Sequence, residues 1–260
     1  MKEKERVDID EVGSPWREEH QSRYQYSIHL VNGKTILDMA CGSGFGSELI
    51  LKNNAASLCA VDLSDEALEK TRTRLKKFGS KNYIVEKQDG TNLNYEDEAF
   101  DVIFSIETVE HINNYKKFLS ELERVLQKSG HLIISTPNAK ITKPINGIPR
   151  NAFHVIEFTP KEFQELLAKY FIIEFQAGQH VKRKYGVVPF LRSFNPENLS
   201  FKQRINFLYW RLLLRFPAFI RDKIHKTIFG FSFYPDIDDY TFHADDIDIS
   251  HVQYYICRKK

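Results

Sequence analysis

The chain has 260 residues, enough to bury most of its apolar surface as one large α/β domain or two small ones. Charged residues make up 28% and balance to a net charge of +2, so the bulk electrostatics calls for no nucleic-acid partner and DNA is not expected. Cys41, Cys59 and Cys257 form no CxxC or Cys/His pairing, which argues against structural zinc or a disulfide framework and suits a reducing compartment.

The first residues, MKEKERVDIDEVG, are polar and acidic where a signal peptide needs an apolar run, which predicts a cytoplasmic protein. From Lys34 onward, short apolar runs alternate with helical patterns. The runs are TILDMA (35–40), SLCAVDL (57–63), YIVEK (83–87), FDVIFSI (100–106), HLIIST (131–136), FIIEFQA (171–177) and VQYYICR (252–258). Continuous rather than alternating hydrophobics imply strands covered on both faces, as in a parallel sheet. Between them lie amphipathic stretches such as Asp65 to Phe78 and Tyr115 to Gln127. Thr159-Pro160-Lys161-Glu162 reads as a capping box that opens another helix.

The alternation predicts an α/β fold, a doubly wound sheet of seven mostly parallel strands with helices on both faces and a helical insertion before the last strand. About 75 residues separate the sixth and seventh strands, far more than an ordinary connection. The expected organisation is an N-terminal covering segment (1–33), a core (34–177), an inserted cap (178–250) and a final core strand (251–260).

The first strand leads into Cys41-Gly42-Ser43-Gly44-Phe45-Gly46-Ser47 and a helix. Glycines there let the backbone turn sharply and let a ligand approach it at a helix N-terminus. The third glycine arrives one residue earlier than the dinucleotide pattern requires, which favours a ligand without a pyrophosphate. Asp62, ending the second strand, is placed to accept hydrogen bonds from a ribose diol. Asp89-Gly90 follows the third strand and could accept from an adenine amino group. Taken singly, either aspartate could merely cap a helix.

The fourth strand ends in Glu107, Glu110 and His111. If a helix begins near Glu107, the three share one face at i, i+3 and i+4, looking into the crevice. His154, in the loop after the fifth strand, returns to the same rim. Two carboxylates and two imidazoles make a set suited to Mg²⁺ or Mn²⁺.

The motifs ILDMACGSGFGS, VDLSDEAL, KQDGTNL, FDVIFSIETVEHI and RVLQKSGHLIISTPN resemble, in order and spacing, those of class I S-adenosylmethionine-dependent methyltransferases, whose fold is Rossmann-like. The resemblance implies S-adenosylmethionine as cofactor. On it, Gly42, Gly44 and Gly46 would line the methionine part, Asp38 would order the loop, Asp62 would bind the ribose and Asp89 the adenine, with Ile106 beside the cofactor and Ala40, Ser43, Leu63 and Gly90 as further cofactor-binding residues. EEHQSRY (18–24) resembles a segment that folds over the cofactor in relatives, making His20, Arg23 and Tyr24 candidates, with Arg23 pairing the methionyl carboxylate. A surface helix is the plainer reading of that segment.

The E-x-x-E-H pattern with a later histidine also resembles metal-using phenol O-methyltransferases and RNA 2′-O-methyltransferases. ETVEH and the NAFHVIEFT segment resemble most the methyltransferases of bacterial surface-polysaccharide synthesis. An alcohol acceptor must lose its proton to a base or be polarised by a metal. Hence Glu110, His111 and His154 are the catalytic candidates. Either a histidine is a metal-free base, or Glu107, Glu110, His111 and His154 hold a cation, or Glu110 and His111 are only a polar helix face.

In the cap, FKQRINFLYWRLLLRF (201–216) gathers Arg204, Arg211 and Arg215 within about 40° on a helical wheel, and a second helix from Pro217 carries Arg221, Lys223 and Lys226. The arginines and proline of this stretch keep it from spanning a bilayer. The commoner arrangement is a lid that packs its apolar stripe on the core and leaves the arginines in water. The other is a peripheral contact of helices 201–229 with the inner face of the membrane, or a grip on a phosphate-bearing, lipid-linked saccharide. Tyr234 to Asp248 is acidic and aromatic, suited to lining an acceptor pocket or to a solvated loop. The expected reaction is methyl transfer to a hydroxyl of a sugar in a cell-surface glycan or its precursor. The ranked alternatives are a phenol- or quinone-type acceptor, RNA, and a cofactor-binding protein without catalysis.

Overall fold

The computed structural model describes residues 15–79, 82–182, 184 and 200–260. Its described strands form one sheet of eight: β1 (Thr35–Met39), β2 (Ser57–Asp62), β3 (Tyr83–Lys87), β4 (Phe100–Ile106), β5 (Leu126–Pro137), β6 (Phe171–Val181), β7 (Tyr240–His243) and β8 (Val252–Lys259). The order is β3-β2-β1-β4-β5-β8-β6-β7. β1 to β5 pair in parallel, and β8 is antiparallel to β5 and β6.

The helices are α1 (Pro15–Tyr26), α2 (Phe45–Lys52), α3 (Asp65–Leu75), α4 (Tyr115–Val125), α5 (Ala139–Thr142), α6 (Pro160–Leu167), α7 (Phe201–Leu213) and α8 (Ala218–Phe229). Neighbouring residues of one strand feed opposite layers, as the pleat requires. Leu37, Ile103, Leu132 and Tyr255 pack with Phe118, Leu119 and Leu122 of α4 and Phe163 and Leu167 of α6. Ile36, Phe104, Ile133 and Tyr254 pack with Tyr24 of α1, Ile50 and Leu51 of α2 and Leu75 of α3. Both faces are covered, which is why the strands read as continuous apolar runs. α6 carries the expected capping box, with Thr159 accepting from the Glu162 backbone and Glu162 reaching back.

The sheet has one strand more than expected. β6 runs on to Val181, and β7 pairs antiparallel with its end, His243 opposite Gly178 and Tyr240 opposite Val181. Residues 178–181 and 240–243 therefore belong to the sheet and not to the insertion. A four-residue edge strand next to the acidic stretch IDD leaves almost no periodic signal.

Within the insertion, Trp210, Leu213 and Phe233 form a small core of their own. The expectation that α7 packs its whole apolar stripe on the domain is not met. Phe201, Ile205, Leu208 and Leu212 face outward, 78%, 53%, 62% and 54% exposed. Among the described residues, no helix is long and apolar enough to cross a membrane.

Candidate functional site

The loop after β1 is built on left-handed backbone. Ala40, Gly42 and Gly44 have φ of 60°, 58° and 81°. At Gly44 a side chain is also excluded by space, because a Cβ would lie 2.8 Å from Thr71 Oγ1. The Thr71 hydroxyl donates to the Gly42 carbonyl at 3.0 Å. Asp62 accepts from the Gly42 amide at 3.0 Å through one oxygen and from the Ser64 amide at 2.9 Å through the other. One carboxylate thus ties the loop to the end of β2.

Gly46 sits elsewhere. A Cβ there would fall inside the Tyr24 ring, so this glycine lets α1 lie close on α2. The Tyr24 hydroxyl donates to Asp38 Oδ1 at 2.8 Å and Ser47 Oγ to Oδ2 at 2.5 Å. Burial pushes the Asp38 carboxyl up to about 6, against those two bonds, which favour the ionised form. The expected ordering role of Asp38 thus takes the form of a tie between β1, α1 and α2.

α1 closes the site from above. Arg23 is fully buried, its Nε donating to Gln179 Oε1 at 2.7 Å and its Nη2 to Glu19 Oε1 at 2.8 Å. Nη1 has no hydrogen-bond partner and lies 3.7 Å from Glu107 Oε1. A buried guanidinium with one unsatisfied edge is a ready anion partner. Sequence reasoning missed Gln179, whose amide also donates to the Ser22 hydroxyl and the Glu19 carbonyl. No local pattern marks a glutamine on β6 as a neighbour of α1. His20 turns back to its own helix, its Nδ1 2.8 Å from the Trp16 carbonyl.

The end of β4 differs from expectation. Glu107 is left-handed, with φ of 50°, and only a single 3₁₀ turn, Val109–His111, follows before α4 begins at Tyr115. No helix face brings the three residues together. Instead the Glu107 carboxylate accepts from Ser135 Oγ at 2.8 Å and faces Arg23, so it stands apart from the four-residue set expected for a cation. Glu110 is not a polar surface residue either: it is 1% exposed. Its Oε2 accepts from Thr136 Oγ1 at 2.9 Å, while Oε1 has no partner. Burial, then the neighbouring Glu107 charge, pushes its carboxyl well above the usual range.

His111 and His154 meet edge to face, ring centroids 4.9 Å apart. His111 Nδ1 bonds the Phe153 carbonyl at 3.1 Å, and His154 Nδ1 bonds Glu157 Oε1 at 2.6 Å. Those oxygens only accept, so both rings donate from Nδ1, and the His154 bond helps to hold Glu157 below the ordinary carboxylate range. Asn151 Nδ2 donates to Nε2 of His154 at 2.9 Å, and Glu157 also takes the Thr142 hydroxyl. One ligand atom each from Glu110, His111 and His154 lie within 4.8 Å of one another. Glu157, which the residue pattern did not single out, is the group that orients His154. The i, i+3 spacing of His154 and Glu157 was the available signal.

The remaining candidates line the edge. Asp89 is exposed and accepts from the Thr91 amide and hydroxyl through Oδ1. Gly90 is buried where a Cβ would strike Phe118 at 2.6 Å, so packing alone demands glycine. The Ser43 carbonyl takes Arg74 Nε at 2.8 Å, Ile106 is buried at the end of β4, and Leu63 is 55% exposed.

The chain is similar to known proteins in sequence and in fold. A probable S-adenosylmethionine-dependent methyltransferase of Mycolicibacterium smegmatis is 29% identical over 152 residues, 58% of this chain and 57% of that protein. The phthiotriol/phenolphthiotriol dimycocerosates methyltransferase of Mycobacterium leprae is 31% identical over 116 residues, 44% of this chain and 42% of that one. The chain spans about half the length of the curated relatives it matches. In fold it is similar to an S-adenosylmethionine-dependent methyltransferase structure from Mesorhizobium loti, with a TM-score of 0.57 at 15% identity over 96% of this chain and 100% of that one. Residues 30–171 match the family model of a methyltransferase domain, more than half of the chain, and the protein belongs to that family.

Proposed function

We propose that the protein transfers a methyl group from S-adenosylmethionine to a hydroxyl, and that the acceptor is a sugar of a cell-surface glycan or its lipid-linked precursor. The observation that supports the hydroxyl reading is the pair of imidazoles, each donating from Nδ1, with Nε2 of His111 4.0 Å from Glu110 Oε1. A base is what a hydroxyl acceptor needs and a thiolate or free amine does not.

The cofactor would be held by the left-handed loop at Gly42 and Gly44, by Asp62 on the ribose diol, and by Arg23 Nη1, a buried donor without a hydrogen bond, on the carboxylate. When bound it supplies an activated methyl whose sulfonium leaves as a neutral thioether. The chain's own part is then mostly positioning, which in favourable cases is worth about 7–11 kcal/mol. α1 excludes water above the loop through Tyr24 and Arg23. His111, partly exposed, takes the acceptor proton at Nε2, and the carbonyl of Phe153 stabilises the ring through Nδ1. Glu157 holds His154 the same way.

Glu110 favours a second reading. Its buried Oε1 has no hydrogen-bond partner and lies 4.0 Å from His111 Nε2, and ligand atoms of Glu110, His111 and His154 lie within 4.8 Å of one another, close enough for a divalent cation that displaces Asn151 from His154. Mg²⁺ or Mn²⁺ held there would lower the pKa of an acceptor hydroxyl.

The acceptor class is tested by mass spectrometry of surface glycan from cells lacking the gene, where one methyl per modified sugar should vanish. Calorimetry in which the purified chain ignores both S-adenosylmethionine and its demethylated product would end the methyl-transfer reading. Activity that survives a chelator would retain the base and remove the cation. Acceptance of catechols in preference to sugars would move the acceptor to the phenol class.

A further inference from the structure

We infer that the α7–α8 hairpin is a docking surface for an anionic lipid membrane. On α7, Phe201, Ile205, Leu208 and Leu212 recur at i, i+4, i+7 and i+11 and fall within about 60° of one another on a helical wheel. All four are more than half exposed. The inner face of the same helix is already satisfied, since Trp210 and Leu213 are buried against Phe233. The exposed stripe is therefore a second apolar face that the described residues do not cover. Leu214 and Phe216 in the turn, and Phe219 at the start of α8, are exposed as well.

Charge selects the occupant. Arg204 and Arg211 run along one side of the stripe, about 70° from its centre, Lys202 lies on the other, and Arg215 follows in the turn after the helix. All four are exposed, so long aliphatic stems can lie along the apolar face while the cationic heads stay in the polar layer. Residues 200–230 contain seven Lys and Arg, adding Arg221, Lys223 and Lys226, and a single carboxylate, Asp222. That carboxylate is taken by Lys226 at 2.9 Å and by the Phe233 amide at 3.0 Å. A two-fold contact through this face would bring the arginines of both copies together, so a second copy of the chain is a poor fit. An apolar stripe flanked by cations, on a helix too short to span, is the composition of an interfacial anchor.

The test is flotation of the full chain with vesicles of phosphatidylcholine alone and of phosphatidylcholine mixed with phosphatidylglycerol. The expected result is binding to the mixed vesicles, reversed by high salt. Arg204→Gln, Arg211→Gln and Arg215→Gln should each weaken binding about fivefold, as near-surface cations do. Leu208→Glu with Leu212→Glu should abolish it, with Trp210 fluorescence and the melting temperature unchanged because both side chains are outside the core. As a measurement independent of that variant, an environment-sensitive dye on Leu208→Cys should shift to the blue on adding the mixed vesicles. The inference is overturned if neither vesicle binds and the dye stays silent. It is also overturned if the glutamate pair binds as well as the wild type, or if sedimentation shows a dimer that the glutamate pair splits without changing vesicle binding. None of these readouts uses methyl transfer.

Discussion

Glu157 Oε1 accepts the Nδ1 proton of His154 at 2.6 Å, both side chains buried. The pair lies beside His111 and joins its loop to α5 through the Thr142 hydroxyl that Glu157 also accepts. Glu157→Gln keeps the shape but offers an amide where the ring needs an acceptor of full charge. Loss of such an orienting partner lowers activity about 10–100-fold. We expect that fall in kcat with the affinity for S-adenosylmethionine unchanged by calorimetry. An equal fall in cofactor affinity would place Glu157 in the general fabric of the fold.

Arg23 predicts a separable defect. Arg23→Lys keeps a cation near Glu19 but cannot bond Gln179, Glu19 and a ligand at once, because the planar fork is lost. Hydrogen bonds to charged groups contribute about 1.5–3 kcal/mol, so the Kd for the cofactor should rise about 10- to 100-fold. If Kd is unchanged while the melting temperature falls, Arg23 serves only the α1–β6 joint.

Gly46 tests how α1 is seated. Gly46→Ala places a methyl inside the Tyr24 ring, and overpacking of this kind destabilises by about 1–3 kcal/mol. In a Tyr24→Leu background the same substitution should be nearly neutral, because the two changes share one contact. Denaturant titration of the four proteins supplies the cycle, and additive effects would refute the contact.

Asp38 predicts a pH dependence with a definite sign. Its folded value of about 6 lies above the ordinary carboxylate value of 3.8. Its contribution to stability is therefore complete below pH 3.8 and is lost as the pH rises through about 6. Asp38→Asn can still accept from Tyr24 and has no charge to bury. Each tenfold change in proton affinity between the folded and unfolded chain is worth about 1.4 kcal/mol, so the variant should gain on the wild type by up to about 3 kcal/mol between pH 4 and pH 7. Parallel stability curves for the two proteins would show that Asp38 is not raised.

Seven of the eight strands, the glycine loop and the carboxylates at the ends of β2 and β4 were legible in the residue pattern. Continuous apolar runs such as Val102 to Phe104 and glycines before a helix are local consequences of burial on two faces and of backbone φ. The roles of Gly46, Gln179 and Glu157 were not legible, because each depends on a partner from another element: Tyr24 over Gly46, Arg23 beside Gln179, His154 against Glu157. The same holds at Glu107, where the expected helix is replaced by a left-handed residue and a short turn. Local spacing put Glu107, Glu110 and His111 on one face, yet only packing decided that Glu107 faces Arg23 while Glu110 is buried beside the histidines. Periodicity reports which side of an element avoids water. Which group stands opposite it is set by the tertiary structure, since that contact joins residues far apart in the chain.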